Sequence, residues 1–374
     1  MKNKLLITTA LAGSLIAGSA LAQTTITGSL DLTYNAVSKD LIGTNTRADS
    51  TRGVGRESQI NIQNKGKLNV GGLDYAAGFA LEFDGTGTGS ADVSGTDSAK
   101  SIHNENVYVD IISGNTTFTF GVDHIQRGYA GAAPAIVNIT DQMAGAGSST
   151  TFVIGARTSE SAGLGIMQNI PGTGIRASYF YAPRSGDTGT GDMNGQAANI
   201  AANSSYEVGF IGTDTFGVKG LSVQAFKNKA DETVVENAGD VTGTTYGIGY
   251  NFGQFAVGID RLIDKNNNLV AAGALNAFGE RAGVEFERDT QKIGVTFAAS
   301  KDLTIGLVQT KTDISGSVGT LNGTEKVQAI QVGYSLGPVA LALTHAKFDD
   351  LSGRTGTLAN DNGTLSVARL STRF

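Results

Sequence analysis

The residues best equipped for chemistry are few and scattered. Three histidines, His103, His124 and His345, fall at spacings that match no metal-ligand pattern, and no cysteine exists to serve as thiolate ligand or nucleophile. His124 stands beside Asp123, but neighbours on an extended chain point to opposite sides, so the pair does not build one acid–base site. Neither catalysis nor a metal or cofactor is expected. The charged residues make a different pattern: Asp31, Glu57, Asp74, Glu82, Asp110, Asp123, Glu207 and Asp260, with Arg176, Arg369 and Arg373, fall in step with polar neighbours at every second position. Charges held on one face of alternating segments do the chemistry of a wetted wall, attracting counter-ions and repelling like ions.

The segments that carry these charges read as strands. In "LDYAAGFALEF" the residues Leu73, Tyr75, Ala77, Phe79, Leu81 and Phe83 fall on one face and Asp74, Ala76, Gly78, Ala80 and Glu82 on the other. Ile26, Leu30, Leu32 and Tyr34 oppose Thr25, Thr27, Ser29, Asp31 and Thr33, and Val107, Val109 and Ile111 oppose Tyr108 and Asp110. Phe118 and Phe120 oppose Thr117, Thr119 and Gly121, and the same alternation continues to the end of the chain.

Connections alternate in length. Short ones hold turn-forming residues, as in "NVGG" from Asn69, "SGN" from Ser113, "PGTG" from Pro171, "NFGQ" from Asn251, "ASKD" from Ala299 and "SLGP" from Ser335. Between them lie long polar stretches such as Ser38 to Gly55, Asp84 to Lys100, Gly186 to Ser204 and Asp264 to Gly279. The strands number about sixteen, beginning near Thr24, Glu57, Leu73, Glu105, Thr116, Ser161, Gly174, Ser205, Gly220, Thr244, Gln254, Lys292, Leu303, Lys326, Pro338 and Gly363. For the sixth, Ser161 to Ile170 is preferred over Thr151 to Ala156, because only that choice leaves a short hairpin at "PGTG". Ile125 to Glu160 then becomes one long connection after strand five, a length that calls for a functional role. Near strand twelve the apolar phase changes between Val284 and Ile293, which requires a bulge or a loop boundary there.

The start of the chain sets the compartment. Met1 to Ala22 has a basic beginning (Lys2, Lys4), an apolar run from Leu5 and a small-residue exit at Ala20-Leu21-Ala22, the pattern of a secretory signal peptide, so residues 1–22 are expected to be removed and 23–374 to form the folded unit. Without Lys2 and Lys4 the 28 basic residues fall to 26 against 34 acidic ones, a formal charge of −8 that argues against nucleic acid as partner. Glycine is abundant at 52 residues, mean hydropathy is −0.05, and nothing after the signal approaches the roughly 20 apolar residues of a membrane helix. A helical membrane protein is excluded, while a transmembrane β-barrel, whose strands alternate in polarity, is not.

Between a β-sandwich and a barrel, the second face of each strand decides. Sixteen strands make a ring too wide for side chains to fill, so one face meets water within and the other lipid without. The terminal residue agrees: Phe374, Leu370 and Ala368 share one side, with Arg373, Ser371, Arg369 and Val367 on the other, so the last ring would sit in lipid near one rim. The fold expected is all-β, a transmembrane antiparallel β-barrel.

The segments "TTITGSLDLTY", "NVGGLDYAAGFALEFD", "NENVYVDIISGNTTFTFGVDH", "GIRASYFYAP", "YGIGYNFGQFAVGI" and "TFAASKDLT" resemble successive strands and turns of the Gram-negative general porins, the proteobacterial sixteen-stranded trimeric family. The resemblance implies a water-filled pore across the outer membrane, three barrels per assembly and a third loop folded inward as a constriction. By position that loop is Ile125 to Glu160, with Asp141 its clearest acidic candidate and Arg157 and Glu160 at its exit. It further implies assembly by the outer-membrane barrel machinery, read from Ala368, Leu370 and Phe374, and contact with outer-membrane lipids and lipopolysaccharide after export by the general secretory pathway. The sequence departs from the family on strand two, where the inward face reads Glu57, Gln59, Asn61 and Gln63 in place of arginines, and after Gly121-Val122, where Asp123 stands in place of one.

Eight acids against three bases on the expected inner wall predict passive diffusion of ions and small hydrophilic solutes with a mild cation preference. The competing expectation is a non-conducting outer-membrane barrel that works through its surface loops as an adhesin or structural protein. The loops lack the large aromatic clusters that anchor protein partners, which favours the channel.

Overall fold

Ribbons with two differently solvated faces still carry unpaired backbone groups along both edges, and in lipid only ring closure satisfies all of them. The computed structural model describes residues 22–40, 50–83, 103–122, 131–139, 162–183, 204–230, 241–266, 286–316, 322–351 and 362–374. They form β1 (Gln23–Asp40), β2 (Ser50–Lys67), β3 (Asp74–Glu82), β4 (His103–Ser113), β5 (Thr116–Val122), β6 (Ala162–Ile170), β7 (Ile175–Ala182) and β8 (Ser205–Thr213). The second half contributes β9 (Leu221–Ala230), β10 (Val241–Phe252), β11 (Phe255–Asn266), β12 (Phe286–Ala298), β13 (Leu303–Gly316), β14 (Gly323–Leu336), β15 (Val339–Asp349) and β16 (Asn362–Arg373). Each strand is antiparallel to its neighbours in chain order, and β16 returns to β1, pairing from Ser29 opposite Arg373 to Asp40 opposite Asn362. The barrel is closed.

The short hairpins all lie at one rim, where the N-terminal end of β1 and the C-terminal end of β16 also lie. Two-residue turns at Gly114-Asn115, Gly253-Gln254 and Gly337-Pro338 place the glycine first, at φ of 57, 66 and 75°. A left-handed first position matches the twist of the flanking strands, and glycine reaches it without steric cost. The opposite rim carries the long connections.

The sixth strand is Ala162–Ile170, as the short-hairpin argument requires; Thr151 to Ala156 lie outside the described residues. Several strands begin a few residues earlier than expected, and two do so by a wide margin, β2 at Ser50 against Glu57 and β12 at Phe286 against Lys292. The first turns of β2, "STRGVG", mix polar and small residues on both faces, so no alternation marks them, yet they pair with β1 as far as Ser38 opposite Ser50. Neither the bulge nor the loop boundary expected before Ile293 lies between Phe286 and Ile293: β12 pairs with β11 without a break from Phe286 opposite Asn266 to Phe297 opposite Phe255, so the phase change falls within one continuous strand. Val284 lies outside the described residues. Among the described residues the pairing register shifts once, between Gly78 and Ala80, where β3 meets β4.

On the half of the barrel nearest the short turns, the outer face is apolar and exposed: Ile259, Ile293, Leu307, Ile330 and Leu343 stand on five adjacent strands. Aromatic residues gather towards the turns, with Tyr250, Phe252, Phe255 and Phe297 stacked in sequence at centroid distances of 5.8, 5.8 and 4.8 Å. An apolar band edged by an aromatic girdle is the outer surface of a membrane barrel.

Nearer the long loops the polarity of β11 to β15 reverses. The outer face there carries ion pairs, Arg261–Asp289 at 2.5 Å, Lys265–Glu287 at 2.8 Å, Lys311–Asp313 at 2.7 Å and Lys347–Asp349 at 3.2 Å. The inner face carries a buried apolar cluster that includes Val37, Val308, Val327, Phe348, Leu365 and Val367. The wall therefore continues beyond the apolar band with water outside and a dry patch within.

Candidate functional site in the bore of the barrel

With the outer face fixed by its exposed apolar residues, strand alternation assigns the inner face. Asp31 on β1 points into the bore and meets Arg369 of β16, with Nη2 to Oδ2 at 2.9 Å and Nε to Oδ1 at 3.1 Å, while the Ser371 hydroxyl donates to the same carboxylate. Glu57 lies directly opposite Asp31 on β2, and Arg373 opposite Ser29. Asp74 is exposed near the turn rim, opposite Lys67, and Glu82 is opposite Gln59. Asp110 is buried and accepts a 2.6 Å hydrogen bond from the Thr119 hydroxyl. Arg176 is half-buried on β7, and Glu207 on β8 is buried opposite Phe180 and Asn228.

Asp31, Glu57, Arg369 and Arg373 are thus brought together on one sector of the wall, facing a water-accessible space of about 1470 Å³. The remaining expected residues are distributed around the ring and do not form one cluster. Asp123, Asp141, Arg157 and Glu160 lie outside the described residues. Ala368 and Leu370 share the outer face with Phe374, whose backbone exchanges two hydrogen bonds with Gly28, the Gly28 N–H donating at 2.7 Å and the Phe374 N–H at 3.0 Å.

The inner wall also holds charges that the sequence pattern did not single out. Lys39, Lys65, Lys67, Arg288 and Lys292 fall on it, against Asp264 and Glu325. Arg288 pairs with Asp264 at 2.7 Å, and Lys292 stands directly opposite Asp260. Five further bases against two further acids leave the described wall close to neutral. Their signal was available, since Lys65 and Lys67 continue the odd phase of Glu57, and Arg288 and Lys292 share the even phase that Ile293 and Val295 leave inward.

A stretch of the connection between β5 and β6, residues 131–139, lies on the inner side of the wall. Both carboxylate oxygens of Asp260 accept backbone N–H groups from it, Ala132 at 2.6 Å and Ala133 at 2.8 Å, while Gln224 Nε2 donates to Oδ1 at 3.3 Å. On β14 the Gln331 carboxamide accepts from the Ile136 N–H and donates to the Val137 carbonyl, both at 2.9 Å. Ile139 ends the stretch within the buried apolar cluster of the wall. Its sequence, "GAAPAIVNI", contains no charge. Across the cavity, Pro134 to Asn138 face Ser29, Asp31, Glu57, Gln59 and Asn61.

Among the described residues no group of histidine, aspartate and glutamate is placed to hold a metal ion. His345 faces outward, its Nδ1 3.0 Å from the Ser366 hydroxyl. What the geometry offers is a passage: a closed wall, apolar outside in a band, and a polar interior against whose wall residues 131–139 lie.

A sixteen-stranded ring of this kind is an outer-membrane β-barrel. The model of the Gram-negative porin family matches residues 8–350, and the chain belongs to that family. No curated relative matches. Among solved structures it is similar to OmpT of Vibrio cholerae in its trimer form, at 12% identity and a TM-score of 0.58, covering 94% of this chain and 99% of that one. It is similar to an anion-selective porin from Comamonas acidovorans, at 14% identity and a TM-score of 0.59 over 95% and 100% of the two chains. The outer-membrane channel DcaP of Acinetobacter baumannii matches at 13% identity and a TM-score of 0.58, over 94% and 97%. The barrel is an outer-membrane porin channel.

Proposed function

We infer that the protein is a passive diffusion channel for ions and small hydrophilic solutes with a slight preference for cations, working without catalysis or cofactor. The observation that carries the reading is the water-accessible space beside residues 134–138, lined by Ser29, Asp31, Gln59 and Asn61 inside a closed ring. A wall that presents carboxylates, carboxamides and hydroxyls to water replaces part of a solute's hydration without binding it tightly, which is the condition for fast passage.

The cation preference rests on the acid-rich chain, 34 acidic to 28 basic residues, and is weakened by the added wall lysines and by the Asp31–Arg369 pair, which neutralises one carboxylate. Charge in the bore is screened over about 8 Å at physiological salt, so only groups near the narrowest section act strongly. In a planar bilayer under a salt gradient, the reversal potential is expected to be small and of the cation-preferring sign; an anion-preferring sign would refute that part. The fold does not set this sign, since the Comamonas acidovorans barrel of the same architecture is anion-selective.

Export by the general secretory pathway with loss of residues 1–22, insertion by the barrel assembly machinery and contact with lipopolysaccharide complete the proposal. A homotrimer is supported by the trimer form of the Vibrio cholerae barrel. Bilayer recordings should then show conductance steps grouped in threes. Liposomes containing the purified protein are expected to swell in small sugars; liposomes that stay impermeable would favour the surface-loop alternative, an adhesin or structural barrel.

A further inference from the structure

Along β1 and β2 the inner face changes chemistry in steps. Asp31 stands opposite Glu57 towards the loops, and Gln23 opposite Lys65 towards the turns. Between these charged ends three rungs pair a hydroxyl with a carboxamide in register: Ser29 with Gln59, Thr27 with Asn61 and Thr25 with Gln63. They span four residue steps of β2, about 13 Å of wall. Thr25 and Thr27 are exposed and the other four half-buried. Thr27, Ser29, Gln59 and Asn61 face the space of about 1470 Å³, and Thr27 and Asn61 also line a second space of about 300 Å³ together with Thr25 and Gln63. The carboxamides are oriented from within the wall, since Asn61 Nδ2 donates to Gln59 Oε1 at 3.4 Å and Gln63 Nε2 donates to the Tyr108 hydroxyl. The Tyr108 ring lies over Gly78, where a Cβ would come within 2.9 Å of its Cε1. Around the larger space the charges cancel, with Asp31, Glu57 and Asp302 against Lys301, Arg369 and Arg373. Asp31 meets Arg369 at 2.9 Å, and Lys301 meets Asp302 at 3.8 Å.

We propose that these three hydroxyl–carboxamide rungs are the specificity-determining contact of the channel, a track for uncharged polyhydroxylated solutes, sugars by chemical class, which pass in preference to charged solutes of the same size. The inference rests on the channel reading above and deepens it; the cation preference concerns ions among themselves. A sugar hydroxyl both donates and accepts, and so do a carboxamide and a serine or threonine hydroxyl, whereas a carboxylate only accepts and a guanidinium or ammonium only donates. A neutral solute moving along the rungs therefore exchanges its water bonds for wall bonds of the same kind, in either direction and at successive positions. An ion gains less, because it gives up part of a strongly held hydration shell beside a lining whose net charge is zero. The Pro134–Asn138 side of the larger space is uncharged as well, so nothing opposite the rungs reverses this balance.

The test uses three labelled probes that share one carbon skeleton and differ in charge: glucose, glucosamine in its cationic form and glucuronate. Their uptake is measured into liposomes that hold the wild-type protein, alongside its conductance in potassium chloride. Glucose is expected to enter about twofold faster than either charged analogue. In the double variant Gln59→Leu, Asn61→Leu, which keeps side-chain bulk and every charge, glucose uptake should fall about threefold while the potassium chloride conductance stays within about 1.5-fold of wild type, since a wall bond traded against a water bond is worth little by itself and several are lost together. Thr27→Val, which removes one hydroxyl at constant shape, should lower the ratio of glucose uptake to conductance in the same direction by a smaller factor. Both variants are first shown to form a heat-modifiable barrel; should the double variant not fold, Thr27→Val and the wild-type comparison still decide the matter. A charged analogue that outruns glucose through the wild type, or a folded double variant with an unchanged ratio, would overturn the proposal. A wild-type protein that passes neither ions nor glucose would instead sink the channel reading itself, so the two failures are distinguishable.

Discussion

Leu307→Arg is expected to destabilise the barrel in a bilayer by about 2–4 kcal/mol, whereas Gln309→Arg, two residues nearer the loops on the same outer face, should cost no more than about 1 kcal/mol. Leu307 is 57% exposed and is flanked in register by Val295 and Ile330, so both of its cross-strand neighbours are apolar and it lies in the apolar band. A guanidinium there must desolvate or pull water and headgroups inward. Gln309 already hydrogen-bonds Gln328 at 3.4 Å, and the next outward residue on its strand, Lys311, is ion-paired with Asp313. An arginine at 309 reaches polar surroundings without crossing the band. Urea titrations of protein refolded into liposomes measure both costs, with tyrosine fluorescence as the probe because the chain has 10 tyrosines and no tryptophan. Equal penalties at the two positions would show that the band reaches further towards the loops than the ion pairs indicate.

The same boundary explains what sequence could and could not deliver. Within the band, strict period two sorts residues correctly: Leu32 and Tyr34 lie outside and Asp31 inside, Val109 outside and Asp110 inside, because each face has a single solvent and each residue type follows it. Beyond the band the solvents exchange. On β13 the inward residues pass from Gly306 to Val308 to Thr310, and the outward ones from Leu307 to Gln309 to Lys311, so hydropathy loses its meaning as a label of side while backbone register still holds. Register, not polarity, is what carries Lys292 and Arg288 inward. The ends of β2 were hidden for a related reason, since "STRGVG" contains too few apolar residues to show any phase.

The connection that carries residues 131–139 along the wall was legible in one respect only. Its length marked it as functional, but its anchors are a single carboxylate and a single carboxamide on strands far away in sequence, and neither residue type is unusual on a wetted wall. Asp260 was sorted to the inner face as one acid among several; nothing local distinguishes an acid that faces water from one that is 1% exposed and occupied by two backbone N–H groups. Gln331 carried no signal at all. Glycines gave a partial one, because Gly258 and Gly294 interrupt runs of β-formers where a side chain would otherwise stand, and a glycine inside a strand often marks the close approach of another backbone, here the Ala132 and Pro134 carbonyls.

The other large effect is expected at the seam of the ring. Removing Phe374 should abolish most assembly, and Gly28→Leu should do nearly as much with the C-terminus intact. Phe374 extends the β1–β16 ladder by its two backbone bonds to Gly28, and its ring lies over Gly28, where the aromatic carbons stand 2.5 Å from the place a Cβ would occupy. Deletion frees the Gly28 N–H and carbonyl near the hydrocarbon, where each unsatisfied group costs several kcal/mol, and withdraws the ring's contact with Gly28. Gly28→Leu keeps the terminal residue available to any receptor that reads it, yet evicts the ring from its seat. The two variants therefore separate a packing role from an address. If the ring closes the barrel, both should show a several-fold smaller folded fraction when refolded alone into detergent or lipid, scored by heat-modifiable mobility on gels. If the terminal residue serves only as an address for the assembly machinery, Gly28→Leu and the deletion would both refold like wild type in vitro, and only the deletion would fail in cells.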